Sequence, residues 1–214
     1  MAIPVLVIGK SGTGKSTSMR NCINNDAWGL IKVIEKPLPF RGKISSGTTD
    51  DYVKVMAWLK GSKAKSIVID DAGYLITNQF MKNHSSKGQG NAIFGMYNDL
   101  ADRFWSLIQY IVSALPKDVI VYVIMHEDVN EFGDIKPKTI GKLLDEKICL
   151  EGMFTIVLRA IKESGKWFFV TQSDGGAVSK SPLGMFNELQ IDNDLKLVDK
   201  TIREYYEFDK PVES

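Results

Sequence analysis

Apolar positions in this chain follow two alternating rhythms. Ile3–Ile8, Leu30–Glu35, Ser66–Asp70 and Val119–Met125 are short, nearly continuous apolar runs rich in β-branched residues. Such runs suit strands covered on both faces, as in a parallel sheet. Between them the spacing turns helical. Asp50 or Asp51 can cap a helix that runs through Lys60 and is ended by Gly61. Tyr97, Leu100, Phe104, Leu107, Ile108, Ile111 and Leu115 recur every three or four positions until Pro116 stops them. Residues 72–90, rich in Asn, Ser, Gly and Lys, read as a loop. Gly152–Ile161 and Trp167–Thr171 read as strands joined in a hairpin across Glu163-Ser164-Gly165-Lys166. Leu195, Val198, Ile202 and Tyr205 mark a closing amphipathic helix over about residues 195–207. Strands alternating with helices predict one α/β domain over residues 1–214, a three-layer fold with a mainly parallel sheet and an antiparallel edge hairpin.

The first strand runs straight into Gly9-Lys10-Ser11-Gly12-Thr13-Gly14-Lys15-Ser16, followed by Thr17 and a stretch able to open a helix. This is Gly-x-x-x-x-Gly-Lys-Ser, the phosphate-binding P-loop, in its strand-to-helix context. Gly9, Gly12 and Gly14 let the backbone curl so that its N–H groups, with those of Ser11, Thr13 and Thr17, face phosphate oxygens. Lys15 reaches the β- and γ-phosphates and the Ser16 hydroxyl ligates Mg²⁺. The partner carboxylate is expected at the end of a neighbouring strand, where α/β ligands bind, and Ile67-Val68-Ile69-Asp70-Asp71 supplies it. Asp70 is the expected metal carboxylate, and Asp71 can polarise the attacking water. Glu35, at the end of the second strand, is the rival base. His126, at the end of the fourth, can hydrogen-bond the γ-phosphate and report hydrolysis to the loop that follows. This sets a three-layer P-loop NTPase as the expected fold class.

Bulk properties narrow the picture only a little. The 214 residues are 44% hydrophobic and 25% charged, with a net charge of +1, so no strongly basic field announces a nucleic-acid partner. The two cysteines, Cys22 and Cys149, give neither a disulfide framework nor a zinc spacing. No apolar run approaches the roughly 20 residues of a membrane span. With the first strand at Ile3 leaving no room for a leader, a cytoplasmic protein without a membrane partner is expected.

No Asn-Lys-x-Asp follows Asp70-Asp71 to read guanine, so ATP is the expected nucleotide. A small-molecule or nucleotide kinase would need a lid with clustered arginines. Here Arg20, Arg41, Arg103, Arg159 and Arg203 are scattered, and a kinase is the competing reading, beside a P-loop switch that recruits a protein partner. The P-loop, Lys36-Pro37-Leu38-Pro39-Phe40, Ile67–Asp71, the stretch from Thr139 to Lys147 and Glu151–Arg159 together carry a resemblance over nearly the whole chain. In these segments the chain resembles the bacteriophage nucleotide-binding ATPases of the RecA-like single-strand annealing and recombinase group. The resemblance implies an ATP hydrolase acting on single-stranded DNA in recombination, annealing or replication. It gives Lys15, Ser16 and Asp70 the nucleotide and metal roles, Glu35 the base and His126 the sensor, where RecA has Gln.

In RecA-type cores two loops hold single-stranded DNA, one after the metal-carboxylate strand and one after the sensor. The corresponding lysines here are Lys82 and Lys87, then Lys136, Lys138 and Lys142, which can neutralise phosphates without reading sequence. His84 and Phe132 can stack on bases. RecA-like assemblies also insert a cation into a neighbour's ATP site, for which Arg159, Lys162 and Lys180 are the candidates. Expected partners are therefore single-stranded DNA, further copies of the chain in a ring or filament, and a single-strand binding protein.

Overall fold

The apolar runs lie side by side in one twisted sheet. A computed structural model describes residues 1–85, 91–140, 145, 147–173 and 175–208. Its strands are β1 (Ile3–Gly9), β2 (Trp28–Lys32), β3 (Ser45–Thr48), β4 (Ser66–Asp70), β5 (Ile120–Val129), β6 (Ile135–Pro137), β7 (Ile156–Glu163), β8 (Lys166–Val170) and β9 (Gln190–Asp192). The helices are α1 (Tyr52–Gly61), α2 (Gly73–Asn83), α3 (Asn91–Ala114) and α4 (Leu195–Tyr205), with short 3-10 turns at Ser16–Asn21 and Glu151–Met153. The sheet order is β3-β2-β4-β5-β1-β7-β8-β9, with β6 paired to the end of β5. From β3 to β7 all neighbours are parallel. The β7–β8 and β8–β9 pairs are antiparallel. This is the three-layer α/β fold with an antiparallel edge that the run pattern predicts.

Alternation along the central strands divides the core in two. Leu6 and Ile8 of β1, with Val121, Val123 and Met125 of β5, face the layer built from α1, α2 and α3. Val5, Val7, Ile120, Tyr122 and Ile124 face the other layer, which holds Met19 of the first 3-10 turn, Cys22 just after it, and Leu195, Val198 and Ile202 of α4. Strands covered on both faces need no polar alternation, which is why β1 and β5 read as unbroken apolar runs. Asp194 caps α4 by accepting from the Lys196 N–H at 2.9 Å. Asp199, buried on the same helix, accepts from Ser66 Oγ at 2.6 Å, Tyr122 OH at 3.0 Å and Arg203 Nε at 2.7 Å. That carboxylate ties α4 to β4 and β5.

Several elements differ from the expectation. Residues 73–83, read as loop, form α2, because Leu75 and Ile76 bury completely against the core while the polar remainder faces out. The stretch after the P-loop is a six-residue 3-10 turn rather than a longer helix. β2 ends at Lys32, so Glu35 lies beyond the strand. β7 begins at Ile156, after the Glu151–Met153 turn. β3, β6 and β9 are additional, each three or four residues long. Helix α1 matches its expected span and cap, since Asp51 accepts from the Val53 and Lys54 N–H groups. Among the described residues no helix is long and apolar enough to cross a membrane.

Candidate active site

The carboxyl ends of β1, β4 and β5 bring the chemistry to one edge of the sheet. Gly9 on β1 pairs in register with His126 on β5, so the P-loop leaves the sheet beside the histidine. β5 separates β1 from β4, and Asp70 ends β4. Gly12 and Gly14 take φ of +80° and +90°, left-handed values that a side chain disfavours, and these turn the loop back over the sheet edge.

The loop folds around its own lysine. Lys15 Nζ donates to the carbonyls of Gly9 and Lys10, each at 2.8 Å, and stands 3.5 Å from His126 Nδ1. Burial lowers the Lys15 pKa to about 8, against the attraction of Asp71 and Asp70. Ser16 Oγ lies 3.0 and 2.9 Å from the two oxygens of Asp70. Burial, reinforced by the neighbouring Asp71 carboxylate, raises the Asp70 pKa, and the Ser16 hydrogen bond opposes that rise. An alcohol oxygen in contact with a carboxylate is a donor set that suits Mg²⁺.

Asp71 is the strained member. Its φ is +59°, unusual for a side-chain-bearing residue, and its carboxylate is almost wholly buried. It pairs with Lys36 and lies 3.7 Å from His126 Nε2. Burial works against the Lys36 charge, but the bond and attraction to Asp71 prevail and its pKa rises. Burial, then the Lys15 charge, pushes the His126 pKa down. Gly14, Lys15, Ser16, Lys36, Asp71 and His126 line a cavity of about 270 Å³. It shares Ser11, Lys36 and His126 with a wider cavity of about 680 Å³, whose walls include Lys10, Tyr74, Thr77 and Lys138.

On the opposite flank Trp167 of β8 covers the loop. Its indole N–H donates to the Gly12 carbonyl at 3.2 Å, and a Cβ built on Gly14 would lie 2.8 Å from Trp167 Cδ1. The same Cβ would lie 3.1 Å from Asn193 Oδ1, whose buried amide has no hydrogen-bond partner among the described residues. Neither Trp167, Asn193 nor Lys36 stands in a phosphate-binding motif. Two signals point to Lys36: it follows the second apolar run toward the P-loop edge of the sheet, and it opens the Lys36–Phe40 segment that shares in the resemblance.

The structure thus gathers Ser11, Gly12, Gly14, Lys15, Ser16, Thr17, Asp71 and His126 around one cavity, with Asp70 joined to it through Ser16. Thr13 turns back to donate to the Lys10 carbonyl at 2.8 Å. Glu35 stands apart from this cavity: it is exposed, accepts from Lys32 Nζ at 2.5 Å and also from Thr48, and these two bonds lower its pKa. Arg159 Nε and Nη2 bind the two oxygens of Glu127 in the same chain at 2.8 and 3.0 Å. Lys162 lies over the Trp167 ring, 5.3 Å from its centre. Lys180 pairs through its backbone with Val157, N–H to carbonyl at 2.8 and 2.9 Å. Of the expected DNA lysines, Lys82 pairs with Asp50 at 2.6 Å, Lys136 pairs with Asp145, and Lys138 lines the wider cavity. Lys87 and Lys142 lie outside the described residues. His84 stacks on Phe80 at 5.2 Å between ring centres, whereas Phe132 is 83% exposed at the β5–β6 turn.

Comparison with known proteins adds a family to this geometry. A family model described as an AAA domain matches residues 1–183. A search among curated proteins found no match.

Proposed function

The chain belongs to the AAA domain family of P-loop NTPases, and we propose that it hydrolyses ATP with Mg²⁺ and couples hydrolysis to a grip on single-stranded DNA. The observation that carries the hydrolase reading is the single cavity in which Lys15, Ser16, Asp71 and His126 converge at the end of a P-loop. The Lys15 ammonium exchanges its two carbonyl partners for β- and γ-phosphate oxygens. Ser16 and Asp70 would hold Mg²⁺, which would supply positive charge against the triphosphate. Asp71 lines the cavity and Glu35 does not, so Asp71 is assigned the attacking water. Transfer of the γ-phosphoryl group asks for positioning and charge rather than covalent catalysis, and these residues offer both. His126, whose pKa burial pushes down in the nucleotide-free site, is placed to hydrogen-bond the terminal phosphate.

Two features support coupling to DNA. β5 continues past His126 to Val129 and turns back through β6, and the Lys138 N–H donates to the His126 carbonyl at 2.7 Å. A shift of His126 between nucleotide states is therefore felt at once by Lys138 and by the turn that exposes Phe132. A lysine-lined cavity continuous with the phosphate site also suits a polyanion. With the resemblance of its motifs to phage RecA-like recombinases, this supports a subunit of a homo-oligomer that works in phage recombination, annealing or replication, alongside a single-strand binding protein.

The test is Mg²⁺-dependent ATP hydrolysis with and without single-stranded DNA, beside Lys15→Ala. Stimulation that rising salt weakens and Lys15→Ala abolishes is expected. Hydrolysis indifferent to DNA, with no DNA retained in a binding assay, overturns the DNA reading. Transfer of the phosphate to a nucleoside acceptor instead of water would establish the kinase alternative.

A further inference from the structure

Lys15 and Lys36 are the two lysines that line the phosphate cavity among the described residues. Lys15 belongs to the P-loop, whereas Lys36 arrives from the segment after β2 and has no motif role. Two of the three cations considered for a neighbour's site are engaged within the chain: Arg159 with Glu127, and Lys162 with the Trp167 ring. Lys36 is held differently. It precedes Pro37, which restricts it to an extended backbone, and Pro37 and Pro39 themselves wall the cavity. Its backbone is thereby anchored at the rim while its side chain, about half exposed, leans in to pair with Asp71.

That placement gives the ammonium two alternative anions. One is the buried Asp71 carboxylate. The other is the terminal phosphate of a triphosphate bound in the same cavity, which carries more negative charge than a carboxylate. We infer that Lys36 is a γ-phosphate sensor supplied by the chain itself, pairing with Asp71 without a triphosphate and moving onto the terminal phosphate when one binds. The exchange is of ion pairs only, and no bond to phosphorus is made or broken in it. Its consequence is that Asp71 loses its counter-ion only when a γ-phosphate is present, so the carboxylate becomes available to water only then. A diphosphate leaves the Lys36–Asp71 pair intact. This rests on the reading of the cavity as an ATP site.

Equilibrium binding of ADP and of β,γ-imido-ATP, both with Mg²⁺, separates the possibilities without relying on turnover. In the wild type the triphosphate analogue binds more tightly than ADP. Lys36→Ala is expected to lower that preference by roughly 10- to 100-fold, the loss of one charge-assisted contact. ADP affinity is expected to change by less than about threefold, because the contact is absent from the diphosphate complex. Lys36→Arg is expected to retain most of the preference. Asp71→Asn separates a direct contact from mere support of Asp71, since the preference survives in it if Lys36 touches phosphate. Equal losses for both nucleotides in Lys36→Ala, no loss for either, or the same loss of preference in Asp71→Asn would each overturn the inference while leaving the ATP site standing. A wild-type protein that binds neither nucleotide overturns the ATP reading and this inference with it.

Discussion

Replacing Arg159 by Met removes the counter-ion of a buried carboxylate. The Glu127 side chain is 1% exposed, and its two oxygens accept from Arg159 Nε and Nη2 at 2.8 and 3.0 Å. Breaking a buried pair by deleting one partner costs about 3–5 kcal/mol, most of it the penalty of leaving the other charge unpaired. Arg159 is itself 23% exposed, so water reaches the vacated side and the lower end, about 3 kcal/mol, is expected. For a chain of this size each kcal/mol moves the melting temperature by about 2–4 °C, which gives a fall of about 6–12 °C. Urea unfolding followed by tryptophan fluorescence reads the free energy directly. Combining Arg159→Met with Glu127→Leu removes both charges and is expected to recover most of the loss, because paired deletion leaves nothing uncompensated. A loss below about 1 kcal/mol, or a double variant no more stable than the single, would refute the assignment of this pair as a buried internal clamp. A stable Arg159→Met protein that instead lost turnover only in assembled form would return Arg159 to a neighbour's site.

Other expected outcomes follow from the same contacts. Gly14→Ala must hold an L side chain at φ +90° with its Cβ 2.8 Å from Trp167, so ATP affinity is expected to drop about tenfold or more; adding Trp167→Ala should recover only part, because the backbone strain remains. Asp199→Ala strips an acceptor from Ser66, Tyr122 and Arg203 together, and a loss of about 3 kcal/mol in chemical denaturation is expected; an unchanged midpoint would mean that water replaces the carboxylate. Cys22 is fully buried and burial pushes its thiol far up, while Cys149 is exposed. A thiol-reactive disulfide should therefore label only Cys149 in the native protein and both cysteines after unfolding, and rapid native labelling of Cys22 would contradict the packing of the 3-10 turn against the sheet.

The sequence made the central strands plain because burial on both faces leaves unbroken apolar runs, and β1 and β4 lie where Ile3–Ile8 and Ser66–Asp70 place them, whereas β5 starts within Val119–Met125 but runs on through His126 to Val129, because its polar end pairs with β6. It hid α2, since only Leu75 and Ile76 of that helix bury completely and its Asn, Thr, Gln and Lys positions resemble a loop. It hid β3 for a related reason: Ser45–Thr48 has no apolar residue, and backbone pairing to β2 alone defines it. The P-loop and Asp70 are legible as local spacing with a mechanism behind it. What spacing cannot convey is which distant residues meet. Trp167 over Gly14, Lys36 on Asp71 and Arg159 on Glu127 depend on strand order, and that order places β5 between β4 and β1 and β7 on the far side of β1. Glu35 shows the reverse case, a residue that looks well placed on a one-dimensional map and lies past the end of β2, bound to Lys32 and Thr48.

Direct binding of ATP, measured by calorimetry with and without Mg²⁺ on the wild type, Lys15→Ala and Ser16→Ala, tests the nucleotide site most directly. Saturable binding is expected, strengthened by Mg²⁺, lost in Lys15→Ala, and made insensitive to Mg²⁺ in Ser16→Ala. Absence of binding in the wild type, or affinity that neither substitution changes, would contradict it.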